Sequence, residues 1–168
     1  MKRFLKSYDG FCQQQQLKPF PSISSRINKL IKAEDGPPTV VFPVRILLVT
    51  QVKLNDIAQQ VIVDEECTLP ALKALLDALN SYQHFNRMAF WRSSLGDDGC
   101  VALANWIKGS PYVKVLELMD NRLGFKSCQA LTRVLQNNAT LTELVLDYNE
   151  IGDEGASVIS IGLKWTES

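Results

Sequence analysis

Four cysteines and a single histidine are the side chains here that would serve as nucleophile, metal ligand or proton shuttle. Their spacing supports none of those roles. Cys12, Cys67, Cys100 and Cys128 include no C-x-x-C pair, and no second ligand stands at zinc spacing. Cys100 and Cys128 are 28 residues apart with Ala156 next in the series, the pattern of small buried residues on equivalent helical turns. Cys67 falls on a position otherwise held by leucine and reads the same way. His84, without a second histidine or a nearby cysteine, reads as a surface residue ahead of a strand. Asp64-Glu65-Glu66 reads as a solvated turn rather than a cation site. Gly96-Asp97-Asp98-Gly99 and Gly152-Asp153-Glu154-Gly155 are turns into helix N-termini, where carboxylates complement the dipole, and not calcium loops. No P-loop, nucleophile elbow, H-E-x-x-H or dinucleotide fingerprint occurs. The expectation is a chain with no catalytic, cofactor-binding or metal-binding residues.

The elements that carry these residues recur. One segment reads Leu141-x-x-Leu144-x-Leu146-x-x-Asn149-x-Ile151-Gly152, and 28 residues earlier stands Val113-x-x-Leu116-x-Leu118-x-x-Asn121-x-Leu123-Gly124. A further 28 residues back is Phe85-x-x-Met88-x-Phe90-x-x-Ser93-x-Leu95-Gly96. The second half of each unit repeats as well. Ala102, Ala130 and Val158 are equivalent, as are Leu103, Leu131 and Ile159, and Ile107, Leu135 and Leu163, at offsets that line one helical face. Each unit is therefore a short strand, a turn and a helix that must stack on its neighbours to bury its apolar side. A degenerate unit at 57–84 precedes units 85–112, 113–140 and 141–168, with Gln60 at an apolar position and Glu65 at that of the turn Asn. Its helix half, Pro70 to Leu79, fits well.

Eighteen basic and eighteen acidic residues balance, so the chain lacks the surplus of cations that nucleic acid or an acidic membrane selects. The longest apolar patch, Val44 to Val49, contains Arg45 and is too short to span a bilayer. Polar residues interrupt the N-terminus too early for a signal peptide. Cytosolic residence with reduced thiols is the expectation.

Leu141-Thr142-Glu143-Leu144-Val145-Leu146-Asp147-Tyr148-Asn149-Glu150-Ile151-Gly152-Asp153-Glu154-Gly155-Ala156 resembles the ribonuclease-inhibitor class of leucine-rich repeats. The resemblance covers about residues 55 to 168. It implies an α/β fold, a right-handed solenoid with parallel strands on the concave side and helices on the convex side. It also implies that Asn121 and Asn149 bond their amides to neighbouring turns, and that Ser93 does so only in part. Phe4-x-x-x-Tyr8-x-x-Phe11-Cys12 is similar to the first helix of some centrosomal and ciliary leucine-rich-repeat proteins. Placement at a centrosome or cilium is what that second likeness implies.

Residues 1–36 form a mostly helical segment with an apolar stripe of Phe4, Leu5, Tyr8, Phe11 and Cys12, and a second helix runs from about Ser24 through Ile31. Residues 37–56 are a β-prone linker or cap, with Pro43 favouring an edge position. At the other end the chain stops at or just after the helix of unit 141–168, which leaves the Leu146 row on an open edge and allows self-association there.

With no reactive constellation, the expected function is a non-enzymatic protein-interaction scaffold. Residues between the leucines face the concave surface, and the expected contact set is Arg87, Trp91, Arg92, Glu117, Met119, Asp120, Glu143, Asp147 and Tyr148. One row reads Trp91, Met119, Asp147 and the next Arg92, Asp120, Tyr148, rich in types that interfaces favour. The expected partner is another protein with an acidic end near Arg87 and Arg92 and a basic end near Glu143 and Asp147. Two alternatives stand beside it: a regulator of a small GTPase, which some repeats of this class are, and the N-terminal portion of a longer centrosomal or ciliary protein.

Overall fold

A computed structural model describes residues 2–14, 16–19, 60–80 and 85–164. The expected helix near Ser24 to Ile31, the β-prone stretch 37–56 and His84 lie outside them. Among the described residues nine elements follow in order: α1 (Lys2–Gln14), β1 (Gln60–Val63), α2 (Leu69–Leu79), β2 (Arg87–Trp91), α3 (Gly96–Lys108), β3 (Val115–Met119), α4 (Phe125–Asn137), β4 (Glu143–Val145) and α5 (Gly152–Leu163). The strands pair in chain order into one parallel sheet, β1-β2-β3-β4. α2, α3 and α4 are thus each the crossover between two parallel strands.

From β2 to β4 the register follows the 28-residue period, but β1 pairs one residue out of it, so Val61 and Val63 take the inward rows and Gln60, expected at an apolar position, falls in the row of Arg87 instead. Val61, Met88, Leu116 and Leu144 align in one row, and Val63, Phe90 and Leu118 in another. Both rows point at the helices, and Val63, Met88, Phe90, Leu116 and Leu118 are fully buried. Leu72, Leu75, Leu79, Leu103, Ile107 and Leu131 meet them from the helical layer. Each such side chain removed from water contributes about 2 kcal/mol. Strands stack about 4.8 Å apart and helices about 9 Å apart, so the sheet is the shorter, concave side of the stack.

Cys67, Cys100 and Cys128 are buried in equivalent or leucine positions, as their spacing indicates, but Ala156 is exposed. The reason is positional: α5 has α4 on one side and no helix of the described residues on the other, whereas α3 and α4 are flanked on both. At the opposite end α1 packs on α2, with Tyr8 and Cys12 inserted into the core and Phe11 against it. Among the described residues no helix is long and apolar enough to cross a membrane.

Candidate functional site

The turns that end β2 and β3 and follow β4 decide how the concave face is held. Arg92, Asp120 and Tyr148 occupy the same place in successive units, and all three have left-handed backbone, with φ of 52°, 53° and 60°. That conformation costs an L-residue roughly 1 kcal/mol, so something must hold it. An asparagine ladder does. The Asn121 amide donates to the carbonyls of Phe90 (2.8 Å) and Met119 (2.9 Å), while its Oδ1 accepts from the N–H groups of Ser93 (3.0 Å) and Leu95 (3.4 Å). Asn149 repeats this one unit later, donating to Leu118 and Leu146 and accepting from Asn121 N and Leu123 N. Ser93 keeps only a hydroxyl, which reaches the carbonyls of Val63 and Trp91. It lacks the second polar atom with which an amide both donates and accepts.

A second tie crosses the helical layer, and sequence reading missed it. Asp97 lies in the first turn of α3, where its charge suits its own helix, yet Oδ1 accepts from Gly124 N (3.0 Å), Ser127 N (3.0 Å) and Ser127 Oγ, capping the next helix, α4. No acid stands in the first turn of α4. Burial acts to raise the Asp97 pKa, but the Ser127 hydroxyl, the two amides and Lys126 together hold it below the ordinary value. The signal was the 30-residue separation of Asp97 and Ser127, one period plus half a helical turn.

On the sheet's outer face the rows are Gln60, Arg87, Val115, Glu143; then Ile62, Ala89, Glu117, Val145; then Trp91 and Met119. Glu117 was expected to be open to a partner, but it is only 6% exposed. It stands opposite Ala89, whose small side chain leaves room, and so lies between the Arg87 and Trp91 side chains. Arg87 Nη2 donates to Oε1 and the Trp91 indole N–H to Oε2 at 2.9 Å. Arg87 is itself two-thirds covered, so the three side chains form a partly buried hydrogen-bonded cluster that holds the indole. Arg92 reaches back to both oxygens of Asp64 on the preceding unit, at 2.9 and 3.2 Å, in an exposed ion pair.

Both arginines expected to attract an acidic partner are thereby engaged within the chain. Asp120, Glu143 and Asp147 are exposed, and none of the ion pairs among the described residues includes them. Tyr148 is 82% exposed beside them. Met119 is half-buried between this acidic end and Trp91. The face therefore grades from a neutralised, aromatic end to an acidic end with a free phenol.

Burial pushes the Cys67 and Cys100 thiols up to about 12 and raises Cys12 and Cys128 as well. Among the described residues no three His, Cys, Asp or Glu side chains cluster as metal ligands.

A family model described as "Leucine Rich repeat" matches residues 137–160. The chain is 31% identical over 110 residues to leucine-rich repeat-containing protein 45 of Gallus gallus, a stretch that is 64% of this chain and 16% of that protein. It is 33% identical over 99 residues to NACHT, LRR and PYD domains-containing protein 12 of Homo sapiens, covering 58% of this chain and 9% of that protein. The chain thus spans a small part of the curated relatives it matches. Among solved structures it is similar to the leiomodin-1 actin-binding site 2, with 25% identity, a TM-score of 0.59 and 64% of each chain covered. It also shares its fold with the Caenorhabditis elegans tropomodulin C-terminal domain, at 16% identity and a TM-score of 0.56, over 87% of this chain and 78% of that one.

Proposed function

From the premise that this chain carries a leucine-rich-repeat solenoid, we propose that it is a non-enzymatic scaffold that binds a protein segment on its concave face. One observation carries the reading: Arg87 and Arg92 of that face are neutralised internally, while Asp120, Glu143, Asp147 and an exposed Tyr148 are in none of the ion pairs among the described residues. The partner segment is therefore cationic where it meets Asp120, Glu143 and Asp147, and apolar where it meets Met119 and the indole of Trp91. The Arg87–Glu117–Trp91 cluster supports this by holding the indole in place before the partner arrives, which reduces the ordering cost of binding. No acidic segment is expected at Arg87.

Calorimetric titration of the full chain with a lysine-rich helical peptide tests the reading. We expect one-to-one binding that salt weakens, with Tyr148→Ala and Asp147→Asn each lowering affinity about tenfold. Binding that neither substitution changes would show that the peptide lies elsewhere.

The likeness to leiomodin-1 actin-binding site 2 favours one specific partner, actin. Co-sedimentation with filamentous actin, compared between the parent chain and Tyr148→Ala, decides it: pelleting that the substitution abolishes supports actin, and a chain left in the supernatant refutes it. A GTP-hydrolysis assay separates the scaffold from a GTPase regulator. A cytosolic location, at the centrosome or cilium, goes with the scaffold reading and is tested by imaging a tagged chain.

A further inference from the structure

Arg87 and Glu117 occupy the middle of the concave face and constrain how a partner segment lies on it. Arg87 crosses from β2 to Glu117 on β3, and the Trp91 indole reaches the same carboxylate from the C-terminal end of β2. A segment running along β2 or β3 would lie on top of that pair. The next row is more open. Trp91 stands opposite Met119 in the register of β2 and β3. Arg92 N donates to Met119 O and Asp120 N to Asp147 O, both at 3.0 Å, so Asp147 stands beside Met119 as Met119 stands beside Trp91. Two half-buried apolar side chains thus precede an exposed carboxylate in a line that crosses the strands, with exposed Asp120 on its flank.

Spacing selects the shape of what fits this line. Neighbouring strands stand about 4.8 Å apart, so the row from Trp91 to Asp147 is about 10 Å long. Two turns of α-helix advance about 11 Å, whereas three side chains on one face of an extended segment span about 13 Å. Over the whole row the helix is out by about 1 Å and the extended segment by about 3 Å. Charge then selects the direction. Asp120, Glu143 and Asp147 gather toward β4, while Arg92 at the β2 side is balanced by Asp64. A helix N-terminus carries roughly half a positive charge and is favoured beside carboxylates. We propose, resting on the concave-face function, that the partner segment is an α-helix laid across the strands at the Trp91–Met119–Asp147 row with its N-terminus over β4. It carries Lys or Arg for Asp147, an apolar side chain three or four residues on for Met119, and another seven residues on for Trp91.

Three end-capped Ala/Gln-based peptides of one composition, titrated into the full chain by calorimetry, test this. The first contains Lys-x-x-x-Leu-x-x-Leu, the second is its reverse, and the third contains Lys-x-Leu-x-Leu, which lines one face only when extended. We expect the first to bind one-to-one, the reversed peptide to bind about threefold more weakly, and the alternating one about tenfold more weakly. Asp147→Asn, at an exposed site, weakens the first peptide about fivefold and leaves its Lys→Gln version unaffected. Met119→Ala loses affinity only while the nearer Leu is present. Equal binding of the first and third peptides, still sensitive to Asp147→Asn, overturns the helix and keeps the concave-face function. A reversed peptide as tight as the first overturns the direction. Binding that appears only after Arg26, Lys29 and Lys32 are changed to Gln assigns the row to this chain's own basic stretch and overturns a partner helix. No binding by any of the three, with or without those changes, removes the concave-face function and this inference with it.

Discussion

The first and last described units invert what their sequences lead one to expect. The unit built on β4 and α5 contains the segment nearest the leucine-rich-repeat pattern, and residues 137–160 match the family model. Yet α5 buries only Gly155 and Gly162, while α2, from the unit with the poorest match, buries Leu72, Ala74, Leu75, Leu76, Ala78 and Leu79. The difference lies in neighbours. α2 is enclosed by α1 and α3, whereas α5 packs extensively on α4 alone among the described elements. A repeat pattern specifies which side chains are offered for burial; the flanking unit decides whether they are buried.

The largest expected effect sharpens this contrast directly. Leu118→Ala should cost about 3–4 kcal/mol in chemical unfolding, because the site is fully buried and walled by neighbours on both sides. Leu146→Ala, at the equivalent but partly exposed site, should cost about 1 kcal/mol. Equal costs would mean that the last unit is as well supported as the inner ones.

The ladder comes next in size. Asn121→Ala removes a buried amide and orphans two turn N–H groups together with the Phe90 carbonyl, an expected loss of about 2–3 kcal/mol. Ser93→Ala removes a single hydroxyl and should cost about 1 kcal/mol. Thermal unfolding of the two variants measures how much stiffer the Asn-tied junction is than the Ser-tied one.

Much of this architecture was legible in the sequence. From β2 to β4 the 28-residue period yields the strand order, the inward rows and the Asn positions, because those depend on residue type at a fixed register; at β1, one residue out of that period, it does not. Glu117 was not legible in isolation. Its burial follows from Ala89 lying opposite and from Arg87 and Trp91 flanking that alanine, a cross-strand relation visible only once the units are laid side by side. Asp97 misled for a different reason: a carboxylate in a first helical turn already has a sufficient local explanation, which hid its cap on the following helix. The exposure of Ala156 and Leu163 shows the same limit from the other side, since periodicity assigns a face and not a neighbour.

Smaller in effect, Gly155→Ala probes how α5 is attached. A Cβ there would meet Cys128 Sγ at 2.8 Å and Ile151 Cγ2 at 2.9 Å. The substitution would gain about 1 kcal/mol of helix propensity and lose about 2 kcal/mol to overpacking, for a net cost near 1 kcal/mol. Gly10→Ala, in α1 with nothing within 4 Å of the added carbon, should instead stabilise by up to about 1 kcal/mol. A gain at Gly155 would mean that α5 already stands off from α4.

The smallest effect separates the two equivalent carboxylates, and pH is the handle. Asp97 has its pKa held below the ordinary value because, against the opposing effect of burial, its ionised form accepts from Ser127 and Gly124. A lowered folded-state pKa means that the unfolded chain binds the proton more readily. The cap's stability is therefore present above the ordinary carboxylate value, near pH 4, and is lost as pH falls through Asp97's own lower value. Asp97→Asn keeps an acceptor but removes the charge, so it should cost about 0.5 kcal/mol at pH 7 and flatten that part of the acid limb. Asp153→Asn has no following helix among the described residues to uncap, so it is the matched control for a first-turn carboxylate. Identical acid profiles for both variants would place the Asp97 effect in its own helix dipole, and the cross-unit cap would then contribute nothing to the difference between the inner junction and the end of the stack.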